Sequence, residues 1–416
     1  MNDYVIVGAG SAGCVLANRL SEDPSVRVLL IEAGGRDRHP NIKIPAAFAK
    51  QFKTKLDWDL ATEPEPHCDN RSLYIPRGKG LGGSSSMNAM LYVRGNPLDY
   101  EGWVQAGATG WGWDDVLPYF LRAEDNERGA SAYHATGGPL RVEDERSPRP
   151  LTGRFLAACA EAGVPRIDDY NGPEQDGAAL VQVTQRRGRR WSAADAYLRP
   201  ALKRPNLEVV TGALVSGLEI ENGAARGVRY SRRRGGEQLA RAGREVILSA
   251  GAIGSPQLLL LSGIGPADQL RRAGLPVNCE LPGVGENLQD HPYVACVWDV
   301  RSRRRCSSTC SAKPARSPRA SPRPSPSSAP APACRRPTCS STSPPPTSST
   351  TASRNTTATR SPAARSWSNR GAAAGSACAP PTRARSRESS PTRWARRTTS
   401  PRFAPASSAP ARSPPP

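Results

Sequence analysis

Tyr4-Val5-Ile6-Val7-Gly8-Ala9-Gly10-Ser11-Ala12-Gly13 joins a short apolar, β-prone run directly to a G-x-G-x-x-G. The residues after it, Cys14 to Leu20, read as a helix whose Val15, Leu16 and Leu20 face a sheet. Val26 to Ile31 follows as a second buried strand, and Glu32 stands at its carboxyl end, 19 residues after Gly13. Each part of this arrangement has a physical task. Gly8 permits a tight turn, Gly10 lets backbone N–H groups approach a pyrophosphate, and Gly13 lets helix and strand pack closely. Ser11 and Ala12 open the helix, whose N-terminus favours negative charge. Glu32 is placed to accept hydrogen bonds from a ribose 2′-hydroxyl. Strand, turn, helix, second strand and acid in that order point to an ADP-containing dinucleotide. An acid at position 32 argues against a 2′-phosphate, but it does not separate NAD from FAD.

Composition divides the 416-residue chain near residue 300. From Arg301 to Pro416, Ser, Arg, Pro, Ala and Thr fill 102 of 116 positions, and Val, Leu, Ile, Met and His are absent. Such a segment cannot bury a core. It carries 22 basic residues and one acid, whereas Met1 to Val300 carries 35 basic against 36 acidic. The whole-chain net charge of +20 therefore belongs to the tail, and no nucleic-acid partner is expected for the folded part. Ser, Pro, Thr, Ala, Arg, Cys, Trp and Gly account for 111 of the 116 tail residues, and each has codons with C or G in the middle. In a GC-rich gene that bias belongs to the third base. The tail thus reads as a coding sequence translated out of frame from about residue 299 to 306 onward, and otherwise as a basic arm.

No apolar run approaches the ~18–20 residues of a membrane-spanning helix, so no transmembrane segment is expected. No secretory signal precedes the first strand. The cysteines are scattered without a C-x-x-C. A cytoplasmic location without a structural metal is expected, with peripheral attachment to an inner membrane left open.

A second block, Gly78-Lys79-Gly80-Leu81-Gly82-Gly83-Ser84-Ser85-Ser86-Met87-Asn88, has almost no side-chain bulk. Its backbone can lie flat along a long ligand and donate N–H bonds, and the plain alternative is a flexible linker. Arg244 to Ala250 reads as another buried strand, closed by a turn at Gly251-Ala252 before a helix over Ser255 to Leu261. Ala250 and Gly251 then sit at the carboxyl edge of a parallel sheet, where α/β folds bind ligands.

Together these blocks resemble the glucose-methanol-choline (GMC) oxidoreductases. Gly78 to Asn88 with Tyr92, Gly95 and Glu101 is similar to the family's first signature, and Gly251 to Leu259 with Ser262 to Gly265 to its second. Arg190 to Leu198, Asn206 to Val209 and Asn287 to Pro292 are similar to further family segments, so the likeness runs from residue 3 to about 300. The resemblance implies FAD. By position it implies that Gly80, Gly83, Ser84, Asn88, Ala89, Met90 and Leu91 contact its pyrophosphate and ring, and that the Val215 backbone meets the adenine. Members with a histidyl-linked flavin carry His where this chain has Met87, so non-covalent FAD is expected. The resemblance also implies hydride transfer from a primary alcohol, a small-molecule substrate, to flavin N5, with a late histidine taking the hydroxyl proton. Only His39, His67, His134 and His291 are present. The first three read as surface residues and His291 as an ordering or flavin-side residue, so the catalytic base is unknown and the chain is expected to be inactive.

The fold class expected is α/β: a Rossmann-like FAD-binding domain with an α+β substrate-domain fragment, followed by a disordered tail. Residues 1–150 and 191–300 form the FAD-binding domain, 151–190 the fragment, and 301–416 the tail. Gly138 to Val142 and Ala179 to Gln185 read as strands of the smaller part, and Leu151 to Ala162 as a helix. Two other readings stay open: a NAD-dependent dehydrogenase using the same fingerprint, and a non-catalytic flavin-fold module with a basic RNA-binding tail.

Overall fold

The computed structural model describes residues 1–232, 235–291, 297 and 394–396. The chain divides into two units, Met1–Leu288 with Arg354–Pro416, and Gln289–Ser353. The expectations of a frameshift and of an RNA-binding tail lie outside the described residues. So does the disordered tail, except that Trp394–Arg396 is a short strand antiparallel to Leu60–Thr62.

The larger unit is built on β1 (Asn2–Val7), α1 (Ser11–Leu20), β2 (Val28–Glu32), β3 (Leu207–Thr211), β4 (Ala213–Glu221), β5 (Ala224–Arg232), β6 (Glu237–Leu248) and α2 (Gly251–Leu261). The strand order is β3-β2-β1-β6-β5-β4. From β3 to β6 neighbours run parallel, with Val5 opposite both Leu29 and Val246, and β6, β5 and β4 form an antiparallel meander. This is the mixed α/β architecture the sequence predicts.

Alternation along β1 and β2 decides the layers, because successive side chains leave opposite faces of a strand. Ile6, Val28 and Leu30 pack with Cys14 and Ala17 of α1 and with Ala193 to Leu198. Val5, Val7, Leu29 and Ile31 pack with Ala213, Val215 and Leu218 of the meander and with Leu258 of α2. A parallel sheet covered on both faces needs apolar residues at consecutive positions, which is why these strands read as unbroken hydrophobic runs. Each fully buried aliphatic side chain contributes ~1.5–3 kcal/mol. A ten-residue helix such as α1 is marginal by itself, so this packing is what holds it.

Several boundaries differ from the sequence expectation. Helix α1 begins at Ser11, within the glycine fingerprint, and the residues closest to the sheet are the small Gly13, Cys14 and Ala17, with Val15, Leu16 and Leu20 half-buried around them. Small side chains let the helix approach the strands, and the larger ones fill the rim. Strand β2 starts at Val28. Strand β6 is longer than predicted because its first half pairs with β5 before it joins β1, and its Arg244 and Glu245 are exposed rather than buried. Helix α2 begins at Gly251, whose φ of +84° suits glycine, so the predicted turn is the helix's own first turn.

In the smaller part, Leu140–Asp144 lies between Glu124–Asn126 and Gln182–Val183. The predicted strand over Ala179 to Gln185 is thus reduced to short pieces, Gln182–Val183 and Gln185–Arg186, and the predicted helix is Pro150–Glu161. No helix among the described residues is long and apolar enough to cross a membrane.

Candidate functional site

The turn after β1 shows why its glycines are spaced as they are. A Cβ on Gly8, at φ +96°, would lie 2.6 Å from the Ser249 carbonyl oxygen, and one on Gly13 would lie 1.9 Å from the Gly8 carbonyl oxygen. Those two positions are closed by backbone. On Gly10 the nearest atom would be the Ser249 oxygen at 3.8 Å, so that side is open. Gly10 caps α1 without a side-chain bond, and Ser11 and Ala12 at the first turn are exposed. A helix start left bare in this way presents N–H groups and the positive end of the dipole to an anion.

Glu32 closes one side of this turn. It is 6% exposed, and its two carboxylate oxygens accept 2.8 Å bonds from the backbone N–H groups of Ala9 and Gly34. Burial raises its pKa above the usual carboxylate range, against the lowering effect of those bonds. A carboxylate offers about four acceptor positions, so capacity remains for ribose hydroxyls.

Two further turns converge here. The Ser249 N–H donates to the Val7 carbonyl, which sets Ser249-Ala250-Gly251 beside Gly8. The Gly78 to Ser86 run lies across the fingerprint: Gly80 bridges Gly35, Leu81 N–H donates to the Gly35 carbonyl, and Gly82 N–H to the Ala9 carbonyl at 2.7 Å. A Cβ on Gly83 would stand 2.7 Å from the Gly10 Cα, and one on Gly34 2.3 Å from the Gly80 nitrogen. The run is therefore packed backbone on backbone, and the linker alternative is set aside. Gly34 belongs to this junction, although the sequence reading does not select it; its signal is the glycine pair Gly34-Gly35 one residue beyond the acid.

Of the candidate residues, Gly8, Gly10, Ser11, Ala12, Gly13, Glu32, Gly80, Gly83, Ala250 and Gly251 thus meet at the carboxyl ends of β1, β2 and β6. Ser84 stands exposed beside them, its hydroxyl accepting from Gly78 N–H at 3.2 Å. Asn88, Ala89, Met90 and Leu91 lead away from that point. Met90 is buried with φ +63°, its N–H donating to Asn88 Oδ1 and its carbonyl accepting from Thr184 N–H, and Leu91 bridges Val183. Val215 lies on β4 at a bulge, its side chain buried in the cluster that includes Val7 and Ile31. The Gly212 N–H before it donates to the Gly34 carbonyl.

Among the described residues of the larger unit, the histidines are exposed or engaged elsewhere. His39 Nδ1 accepts from Asn41 N–H at a helix start, and His67 is exposed. His134 corrects the surface reading. It is 6% exposed, with Nε2 2.7 Å from Asp169 and Nδ1 3.0 Å from Glu124, itself bound by Arg94 at 2.7 Å. The hydrogen bonds to Asp169 and Glu124 raise its pKa to about 9, against its burial. An isolated histidine in a loop of Ser, Ala and Gly carries no signal of partners brought from positions 124 and 169. In the second unit, Asp290 Oδ1 accepts the backbone N–H of His291.

The arrangement can hold a pyrophosphate at the α1 N-terminus and a ribose at Glu32. The residues present fit an ADP-containing dinucleotide.

Comparison with known proteins agrees. The family profile described as GMC oxidoreductase matches residues 2–293. The chain is 49% identical over 291 residues to an oxygen-dependent choline dehydrogenase of Sinorhizobium fredii, covering 70% of this chain and 52% of that protein. Among solved structures it is similar to pyridoxine 4-oxidase from Mesorbium loti, with a TM-score of 0.66 and 41% identity over 68% of this chain and 56% of that one. An FAD-dependent oxidoreductase from Chaetomium thermophilum gives a TM-score of 0.66 at 32% identity, covering 70% and 52%. The chain spans about half the length of the curated relatives it matches. With the profile match covering most of the chain and the glycine turns arranged as described, the chain belongs to the GMC oxidoreductase family.

Proposed function

We propose that this chain carries the cofactor-binding part of an FAD-dependent oxidoreductase acting on the CH–OH group of a primary alcohol, choline-like or other. The observation that carries this reading is the convergence of three glycine-bearing turns on the bare N-terminus of α1. Gly10, Ser11 and Ala12 take the pyrophosphate, Glu32 the ribose hydroxyls, and the Val215 backbone the adenine. Gly80, Gly83 and Ser84 follow the pyrophosphate, Asn88 to Leu91 lie along the ring, and Ala250 and Gly251 close the second turn. Bound FAD supplies the hydride acceptor, at N5 of the flavin. Met87, buried where linked relatives carry histidine, has a thioether that gives no attachment point, so the cofactor is held non-covalently.

A primary alcohol as substrate is supported by the relatives named as choline dehydrogenases. A proton acceptor must come within hydrogen-bond reach of the hydroxyl. Among the described residues of the larger unit no histidine stands free to do this beside Asn88 to Leu91. With no such acceptor among those residues, the chain as it stands is expected not to turn over alcohol.

The test is to purify the full chain with FAD and with NAD separately, following flavin absorption and quenching of flavin fluorescence for the first and nucleotide released on denaturation for the second. FAD retention with no choline-dependent dye reduction is the expected result. Retention of NAD in place of FAD would overturn the cofactor assignment, and dye reduction would overturn the inactivity.

A further inference from the structure

Arg190 is 1% exposed, and among the described residues its guanidinium donates only to neutral acceptors. Nε donates to the Ile42 carbonyl at 2.8 Å, Nη1 to the Ser85 carbonyl at 3.0 Å and to Asn88 Oδ1 at 2.7 Å, and Nη2 to the Asn88 carbonyl at 2.7 Å. Among the described residues no carboxylate lies within ion-pair distance of it; Asp37 and Asp195, the acids of the neighbouring cluster, are bound by Lys43 and Arg199. Burial lowers its pKa to about 10, which leaves the group charged at neutral pH.

A buried charge with no carboxylate in contact, only the more distant Asp195 favouring it, is costly, and a neutral side chain would hold an ordinary loop at less cost. What Arg190 grips is not ordinary. Met90 adopts the left-handed backbone region that a non-glycine residue occupies only when its surroundings enforce it. Its N–H is held by Asn88 Oδ1, the same atom that accepts from Arg190, while Thr184 N–H holds its carbonyl. Behind the segment, Ala193 N–H donates to Ser85 Oγ, so the stretch carrying Arg190 backs the Ser85 to Met90 turn along its length.

We infer that Arg190 is a positioning residue that fixes Asn88 and Met90 in the conformation needed against the bound ring system. This rests on the FAD reading given under Proposed function. It acts through Asn88, whose side chain couples the guanidinium to the strained peptide.

The experiment uses the full chain with FAD as the probe and compares Arg190→Lys, Arg190→Met and Asn88→Ala. Asn88 is exposed, so Asn88→Ala leaves the core intact; because Asn88 also lies along the ring, the Arg190 variants carry the inference and Asn88→Ala tests only the link through its side chain. Readouts are the FAD Kd from fluorescence quenching, the visible spectrum of bound flavin, and the melting temperature without FAD. The expected result is a rise in Kd of about tenfold or more for Arg190→Met and Asn88→Ala, the equivalent of about one good hydrogen bond. Arg190→Lys should fall between these and the wild type, and the flavin spectrum should shift while Asn88→Ala melts as the wild type does. Wild-type Kd and spectrum in Arg190→Met, or in Arg190→Lys should the methionine variant not fold, would overturn the inference alone. A wild-type chain that binds no FAD would overturn the FAD reading and this inference with it.

Discussion

The carbonyl oxygen of Gly8 occupies the place a Cβ on Gly13 would need, at 1.9 Å. Both partners are backbone, so neither can rotate away. Gly13→Ala should destabilise the chain by ~3 kcal/mol through forced separation of β1 and α1. Gly10→Ala should cost ~1 kcal/mol or less as a poorer helix cap, because its φ of −75° suits alanine and its Cβ side is open. It should nonetheless raise the FAD Kd by about tenfold or more, since that open side is the proposed pyrophosphate site. Denaturation and fluorescence titration of the two variants separate packing from binding.

Glu32 holds the N–H groups of Ala9 and Gly34 with two different oxygens. Gln at this position keeps one acceptor and turns an amide donor toward the other N–H. Glu32→Gln should cost ~1–3 kcal/mol and weaken FAD binding. The pH response has a definite sign. Burial raises the Glu32 pKa, so the folded state holds this proton more readily than the unfolded one. Its contribution to stability falls as pH rises from the ordinary carboxylate range through the folded pKa. Chemical denaturation across that range should show the slope in the wild type and its absence in Glu32→Gln.

His134 works in the opposite window. Its pKa rises from 6.5 to about 9 in the folded chain, so its stabilisation is complete below 6.5, declines as pH rises, and is gone above about 9. The loss should be ~3 kcal/mol over that interval. On the acid side Glu124 and Asp169 sit below their ordinary values: burial opposes this, and the hydrogen bonds from His134 outweigh it. Their contribution is lost as pH falls through those lowered values. Melting temperature followed from pH 6.5 to about 9 should drop more steeply in the wild type than in His134→Gln. Equal slopes would show that the Glu124, Arg94 and Asp169 contacts hold without the imidazolium.

The parts of the site legible in the sequence are those where local geometry leaves one residue type. Gly8 and Gly13 are demanded by backbone contact, and Glu32 by its place at a strand end. What the sequence did not reveal depends on distant partners. Arg190 gains its role from carbonyls at 42, 85 and 88, and His134 from carboxylates at 124 and 169, separations no periodicity encodes. The left-handed Met90 was hidden for a related reason: no glycine marks the position, because neighbouring hydrogen bonds enforce a conformation the residue itself disfavours.

The remaining prediction concerns the gene. In residues 301–416, Ser, Cys and Trp fill 33 of 116 positions, while Val, Leu, Ile and Met are absent. Suppose each middle base of this stretch is the third base of the true codon. Then the first base read here is the true middle base. Cys, Trp and most Ser codons begin with T, and codons with T in the middle encode Phe, Leu, Ile, Met and Val. The neighbouring frame should therefore place apolar residues at close to the frequency of a folded domain, at positions marked by Ser, Cys and Trp in the present one. Resequencing from codon 285 past the stop, and translating that frame, checks this. An uninterrupted frame with apolar, strand-like and helical periodicity, ending in a late histidine, would restore a full-length family member. A frame interrupted by stops would establish the basic segment as a true part of the protein and leave cofactor binding as the chain's activity.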